Sequence, residues 1–573
     1  MRSGRSVLLL TALMLAANGC KKTEPPVPSQ AETKQPAPSR PKIGLNFVYG
    51  SEKKAWLKDA LATFNAEQAR GQGEVIIEVT GVEMGSGSAV TEIVVGTARP
   101  DVWSPASDLF RPLLNEAWTQ AKGATGGGRE IAPAGKPLVL SPLVIAMWKP
   151  MAQALGWPDA PVGWSDILAL STDPQGWASK GHPEWGTFKL AHTHPEYSNS
   201  GLMSVLAEIF AATGLKRGLT VEHVLDPQTH AYLESIEGSL VHYGKSTGFF
   251  ADKMLTRGPS YLSAAVLYEN LVIDVYRRPE FANRELDVVA VYPKEGTFWI
   301  DNPFIILDAP WADPQKKKAA ETLQAYLLSE PVQRRAMSEF GFRPSDPAVA
   351  MAAPIDAAHG VDPQQPKTLL ETPGPAVLRA ALAQWKRSKK AVDLMFVFDR
   401  SGSMKGEPLR AAKQGASDFL DLLDDRDRVS VVVFNHEVAA DIPEPTELRT
   451  GRKALQESVG NTFAEGGTAL YDAVAAAHGV LARLAEKNPK RIYAVVALTD
   501  GNDEHSKMTE AQLEALLRPS SEMGQSVRVF TIAYGQGASA TVLGKIADAG
   551  AGALFKGDAG NIRALYRDLA AFF

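Results

Sequence analysis

Apolar runs alternate with stretches of helical period along most of the chain. "KIGLNFVYG" reads as a buried strand ending in a glycine turn. "SEKKAWLKDALATFNAE" places Trp56, Leu57, Ala60, Leu61 and Phe64 on one face of a helix, with Ser51 as its N-cap. "EVIIEVT" is then a strand, "SAVTEIVVGT" a helix, and "PDVWSPAS" a strand ending in a turn. "KPLVLSPLVIAMWKP" is a long apolar stretch, and "GTFKLAHTHPEYSNSG" a strand entering a polar loop, with a helix from about Gly201. "GPSYLSAAVLYENLVIDVYRR" reads as a helix, "LDVVAVYPKEGTFWIDNPFIIL" as paired strands, and "KKKAAETLQAYLLSEPVQRRAMSEFGFRP" as a closing helical pair. This alternation over residues 42–350 predicts an α/β domain.

Residues 351–390 are spaced by prolines and end in a short helix over 376–389, so they are expected to be a linker. The segment from Asp356 to Pro375 is the expected point of proteolytic cleavage. The α/β rhythm then resumes over 391–573. "VDLMFVF", "DRVSVVVF", "RIYAVVALTDG" and "SVRVFTIAYG" are strands too apolar to face water on either side, separated by helical stretches. That pattern predicts a doubly wound sheet, whose ligands lie at the carboxyl ends of its strands.

The N-terminal residues break the pattern. Arg2 and Arg5 precede an apolar run from Val7 to Ala17, too short to span a bilayer, and "NGC" follows. Cys20 is the single cysteine, so no intramolecular disulfide is available to either domain. "AANGC" resembles the processing site of bacterial lipoproteins, although Ala17 stands where leucine is usual. The resemblance implies a signal peptide over 1–20 and lipidation at Cys20. Residues 21–41, rich in proline and polar side chains, are a spacer. The expected location is the cell envelope, lipid-anchored and extracytoplasmic, with the outer membrane as destination in a Gram-negative host because Lys21 follows the cysteine. The net charge of -5 offers no nucleic-acid surface.

The candidate chemistry lies mainly in the second region. Its first strand ends in Asp399, followed by Ser401 and Ser403. "EGGTALYDA" puts Thr468 in a glycine turn that opens a helix, and "ALTDGND" ends a central strand at Asp500. Two carboxylates and three hydroxyls, all hard oxygen donors, suit Mg²⁺ (or Mn²⁺) better than Zn²⁺. "DRSGSM", "GGTALYDA" and "LTDG" together resemble the von Willebrand factor A domain, and these five residues match its metal-ion-dependent adhesion site. The resemblance implies an ion with one face open to an acidic side chain of a protein partner. Charge arithmetic makes the three hydroxyls direct ligands and puts the two carboxylates at least partly behind water, since two direct carboxylates would neutralise the ion.

The first region resembles extracellular solute-binding proteins of the molybdate/sulfate-like class in the order of its pieces: the opening strand–Gly–Ser–helix, "PDVWSPAS", "PEYSNSG", the "YEN" helix and the closing "FGFRP". That implies two α/β lobes closing over a small solute such as an oxyanion. Ser51, Ser104, Ser107, Ser198, Ser200, Tyr268 and Asn302 are the candidate contacts. "YGKST" lacks the first glycine of a phosphate loop and reads as a surface turn. His192 and His194 of "HTHPE" read as solvated loop residues. With no His-Glu-x-x-His and no complete phosphate loop, the chain is expected to be a binding protein, not an enzyme. Three roles follow: a solute-responsive adaptor, an adhesion or assembly protein with the solute-binding fold as scaffold, or the delivery component of an ABC transporter.

Overall fold

A computed structural model describes residues 40–123, 129–518 and 527–573. The signal, Cys20 and most of the proline-rich spacer lie outside the described residues. Among the described residues no helix is long and apolar enough to cross a membrane.

The first region has two sheets. One runs in the order Ile76–Glu83, Lys42–Tyr49, Val102–Ser104, Pro303–Ile306, Lys136–Pro137, and is parallel through its first three strands. The other runs Arg343–Pro344, Val139–Trp148, Ala264–Tyr268, Leu190–Ala191, with Val288–Val291 and Trp299–Ile300 also on Val139–Trp148. Helices Lys54–Arg70, Pro314–Leu327 and Glu330–Phe340 serve the first lobe.

Two local readings change. Ser51 does not cap the helix: a 3-10 turn over Ser51–Lys53 comes first, and the helix starts at Lys54. "SYLSAAVLYENL" is half strand. Ala264–Tyr268 is buried on both faces between neighbouring strands, and the helix runs only from Glu269 to Arg277. An apolar run buried on every side carries no period to tell strand from helix.

The second region is a six-stranded sheet in the order Thr446–Glu447, Arg428–Phe434, Val392–Asp399, Ile492–Thr499, Arg528–Tyr534, Ala551–Gly557, parallel except at its first strand. The chain moves outward from Val392–Asp399 in one direction, then returns to Ile492–Thr499 on the other side. The crevice between these two strands is therefore the switch point of the doubly wound fold. A helix over Leu448–Gly460, unread in the sequence, packs beside the helix Glu407–Leu422.

Residues 351–390 are not a loose connector. Leu370 N–H donates to Thr297 O at 2.9 Å and Thr297 N–H to Thr368 O at 3.1 Å, tying the segment to the first region. The helix Pro375–Ser388 buries Trp385 completely, its ring 5.3 Å from Tyr243 and 4.7 Å from His194. From the second region, Arg426 donates to the Arg387 carbonyl at 2.9 Å. Lys245 pairs with Asp568 at 2.9 Å and Arg257 with Asp548 at 3.2 Å, and Phe572 packs 5.2 Å from Phe249. The two regions share one apolar core.

Candidate functional site

The strand Val392–Asp399 delivers Asp399 to the switch point with no exposed surface. Both of its carboxylate oxygens are engaged. Oδ1 accepts the Ser401 amide at 2.7 Å, and Oδ2 accepts the Thr499 hydroxyl of the adjacent strand at 2.5 Å. Ser401 Oγ lies 3.0 Å from Ser403 Oγ, and Ser403 Oγ donates to Asp500 Oδ1 at 2.7 Å. A side chain begun on Gly501 would stand 3.4 Å from Thr468 Oγ1 and 3.9 Å from Ser403 Oγ, so the Thr468 hydroxyl faces the same small space. All five expected residues thus converge from three loops, with Asp399, Ser401 and Thr468 buried and Ser403 on the solvent side.

The turn that carries Thr468 needs its glycines. Gly466 has a φ of 75°, and a Cβ there would stand 2.2 Å from His436 Nδ1; at Gly467 it would stand 2.2 Å from His505 Cε1. Glycine lets the backbone pass between two imidazoles that flank the site. Gly402 N–H donates to Gly466 O at 2.8 Å, clamping this turn to the first loop.

Burial raises the carboxyl of Asp399 above the usual carboxylate range, against the pull of its two donors. Asp500 is raised by burial too, and by the charge of Asp399. The adjacent guanidinium of Arg400 turns away to Glu465. Two half-compensated carboxylates and three hydroxyls in one space fit a hard divalent cation, and the solvent-facing side leaves room for a further oxygen ligand. Thr499 was missed in the sequence because only sheet register places its hydroxyl against Asp399.

The solute candidates are spread over several separate contacts, with Ser104 and Asn302 meeting each other directly. Ser200 Oγ lies 2.8 Å from both Thr193 Oγ1 and Thr247 Oγ1, and the Tyr268 hydroxyl accepts from Asn199 at 3.0 Å. Asn302 accepts from the buried Lys53 ammonium at 2.8 Å, and Ser104 Oγ donates to Asn302 O at 3.4 Å. Ser107 Oγ accepts the Leu109 amide at 3.3 Å. Ser198 precedes the helix Asn199–Thr213 without a side-chain capping bond, and Ser51 Oγ faces Gly248 from the other lobe. The amides of Gly87 and Ser88, which open a helix in the first lobe, donate to Tyr197 O in the second at 3.1 and 3.3 Å. The lobes are in contact through these groups. Glu52 and Lys53, buried as a pair, had no sequence signal.

Two loop readings are corrected. His192 and His194 are buried, not solvated. His192 Nε2 lies 3.2 Å from Glu237 Oε1, and the ligand atoms of His192, Glu208 and Glu237 all lie within 4.8 Å of one another. Burial, then the charge of Glu237, pushes the Glu208 carboxyl well up. In "YGKST", Tyr243 and Thr247 are buried, and Ser246 caps the helix Thr247–Arg257.

The chain matches the bacterial extracellular solute-binding protein family over residues 45–343 and the von Willebrand factor type A domain over 393–567. It is 33% identical over 126 residues to the uncharacterized protein sll0103 of Synechocystis sp. (strain ATCC 27184 / PCC 6803 / Kazusa), a stretch covering 22% of this chain and 29% of that relative. Among solved structures it is similar to the sulfate-binding protein SubI from Mycobacterium tuberculosis H37Rv, at 18% identity over 54% of this chain and 88% of that one, with a TM-score of 0.36. It is also similar to a von Willebrand factor type A protein from Catenulispora acidiphila, at 27% identity over 32% of this chain and 42% of that one, with a TM-score of 0.28. With more than half of its length matched by the first family, the chain belongs to the bacterial extracellular solute-binding proteins and carries a C-terminal von Willebrand factor type A domain.

Proposed function

We propose that this protein is a metal-dependent docking protein of the cell envelope. Its second domain binds Mg²⁺ (or Mn²⁺) through Asp399, Ser401, Ser403, Thr468 and Asp500 and presents the ion to an acidic side chain of a protein partner. The observation that carries this reading is the convergence of a buried carboxylate, Asp399, and a half-buried one, Asp500, with three hydroxyls at the switch point. When bound, the ion supplies an electrophilic position for an incoming carboxylate. The protein's part is to fix Asp399 between Thr499 and Ser401 and to keep neutral oxygens nearest the ion. Phe463, 77% exposed on the loop that leads to Thr468, offers an apolar contact beside the charged one. The proposed anchor is acylated Cys20, in the outer membrane if the host is Gram-negative. Cross-linking in intact envelopes tests the docking role. A cross-linked product should disappear both with EDTA and in Asp399→Ala; a product that survives both contradicts it.

For the first domain, the proposed ligand is a small solute, an oxyanion among the candidates, and its closure would make the protein a solute-responsive adaptor. A second reading, with the solute-binding fold as a mount for the docking domain, is favoured by one observation. The Tyr197 carbonyl takes the Gly87 and Ser88 amides where an anion would otherwise meet a helix N-terminus. Thermal-shift measurements on the full chain with oxyanions, sugars and peptides separate the two. A stabilisation of about 2.7 kcal/mol is expected at a hundredfold excess over Kd if a solute binds; no response across the set supports the mount.

A further inference from the structure

A cavity of about 830 Å³ lies between the two domains, far from the adhesion site in topology. Asp399 and Asp500 stand at the carboxyl ends of their strands, whereas Arg528 is the first residue of Arg528–Tyr534 and Ile492 the first of Ile492–Thr499, so the cavity faces the opposite edge of the sheet. Lys189, Arg257 and Tyr261 line it from the first domain, Lys390 from the connecting segment, and Tyr493 and Arg528 from the second. Basic side chains outnumber acidic ones in its wall, where Glu514 and Asp548 are the acids.

Most of these cations are matched. Arg257 pairs with Asp548 at 3.2 Å, Arg518 with Glu514 at 3.5 Å, and Arg491 with Asp393 at 2.6 Å. Arg528 is the exception. It is 7% exposed, and among the described residues no carboxylate pairs with it; its guanidinium lies 5.2 Å from the Tyr261 ring centre. Arg257 lies over the same ring at 5.6 Å, so two guanidinium groups converge. Burial, with Arg257 adding to it, lowers Arg528 to about 10, which leaves it charged at neutral pH. Lys390 donates to the Leu240 carbonyl at 2.9 Å and likewise has no carboxylate partner among the described residues.

We propose that this cavity binds a small molecule carrying a phosphate or sulfate group, held by Arg528 with Arg257 and Lys390. An unpaired buried charge is costly unless something neutralises it. A planar guanidinium matches a tetrahedral oxyanion in a bidentate fork. The cavity has the size of a small-molecule site rather than a single-ion site, and Tyr261 and Tyr493 provide surface for the body of the ligand. Because its walls come from both domains, an occupant adds to the contacts that already hold one against the other.

Calorimetric titration of the full chain in metal-free buffer tests this, with inorganic pyrophosphate as probe and inorganic phosphate and sulfate alongside. Pyrophosphate is expected to bind and to raise Tm. Arg528→Gln should weaken it at least tenfold, Arg528→Lys less, and Lys390→Gln severalfold. The uptake that Arg528→Gln loses should persist in Ser200→Ala, whose hydroxyl lies in the interlobe cleft. Without anion, Arg528→Met should melt no lower than the parent chain, because it removes an uncompensated charge. The proposal is overturned if none of the three anions binds, if Arg528→Gln or Lys390→Gln binds as the parent does, or if Ser200→Ala abolishes binding instead.

Discussion

Thr499 donates its hydroxyl to Asp399 Oδ2 at 2.5 Å from the neighbouring strand. With the Ser401 amide on Oδ1 at 2.7 Å, the carboxylate is held at both oxygens by the protein itself. This is the kind of outer partner that orients a metal ligand, and losing one typically costs 10- to 100-fold in affinity, an order-of-magnitude figure. Thr499→Val should therefore weaken Mg²⁺ binding by roughly tenfold or more while circular dichroism stays unchanged. Undiminished affinity would show that Asp399 needs no orienting partner.

Trp385 ties the connecting helix to the first domain. Its complete burial against Tyr243 and His194 predicts a loss of about 3–5 kcal/mol in Trp385→Ala, measured by denaturant unfolding. The hydrogen bonds of Thr368 and Leu370 to Thr297 predict that proteases cut the segment from Asp356 to Pro375 slowly in the parent chain and faster in this variant. Rapid cutting there in the parent chain would contradict the packed arrangement.

His242 predicts a pH dependence. It is buried at the domain interface, its Nε2 accepting from the Tyr261 hydroxyl at 2.5 Å and its Nδ1 meeting the Tyr243 carbonyl. Burial lowers it to about 3; the nearby cations Arg528, Arg257 and Lys253 act the same way, and the Tyr243 carbonyl opposes them. The folded imidazole is thus neutral where the unfolded one, titrating at its ordinary value near 6.5, takes up a proton. The contribution of His242 to stability should be complete above that value and fall as pH drops from about 6.5 towards 3, by at most about 1.4 kcal/mol per pH unit. Urea midpoints at pH 7 and pH 5 check this, and His242→Gln should flatten the slope.

The anchor prediction concerns residues outside the described structure. Cys20→Ser should move the protein from the membrane to the soluble fraction, because stable attachment requires acyl chains. Continued partitioning with membranes would refute lipidation at Cys20.

The grouping of the candidate site was legible in the sequence because its residues sit where strands end and glycine turns begin. Asp399 ends a strand, Asp500 follows one and Thr468 follows a glycine turn, and local pattern carries that information. The surroundings were not legible. Thr499 reads as one more strand residue until register sets it against Asp399. Glu208 lies in the middle of a helix, where a charge usually faces water, and only tertiary packing buries it beside His192 and Glu237. The linker reading failed for a related reason: proline spacing marks an irregular backbone, but it says nothing of whether Trp385 and Leu370 find a surface to cover.

The central claim is that Asp399, Ser401, Ser403, Thr468 and Asp500 form one divalent-cation site. Isothermal titration of Mg²⁺ into the full chain and its Asp399→Ala variant tests it most directly. The account predicts one Mg²⁺ per chain, with that binding lost in Asp399→Ala while the melting transition persists. Equal uptake by the two proteins would contradict it and return the five residues to the role of caps and turns.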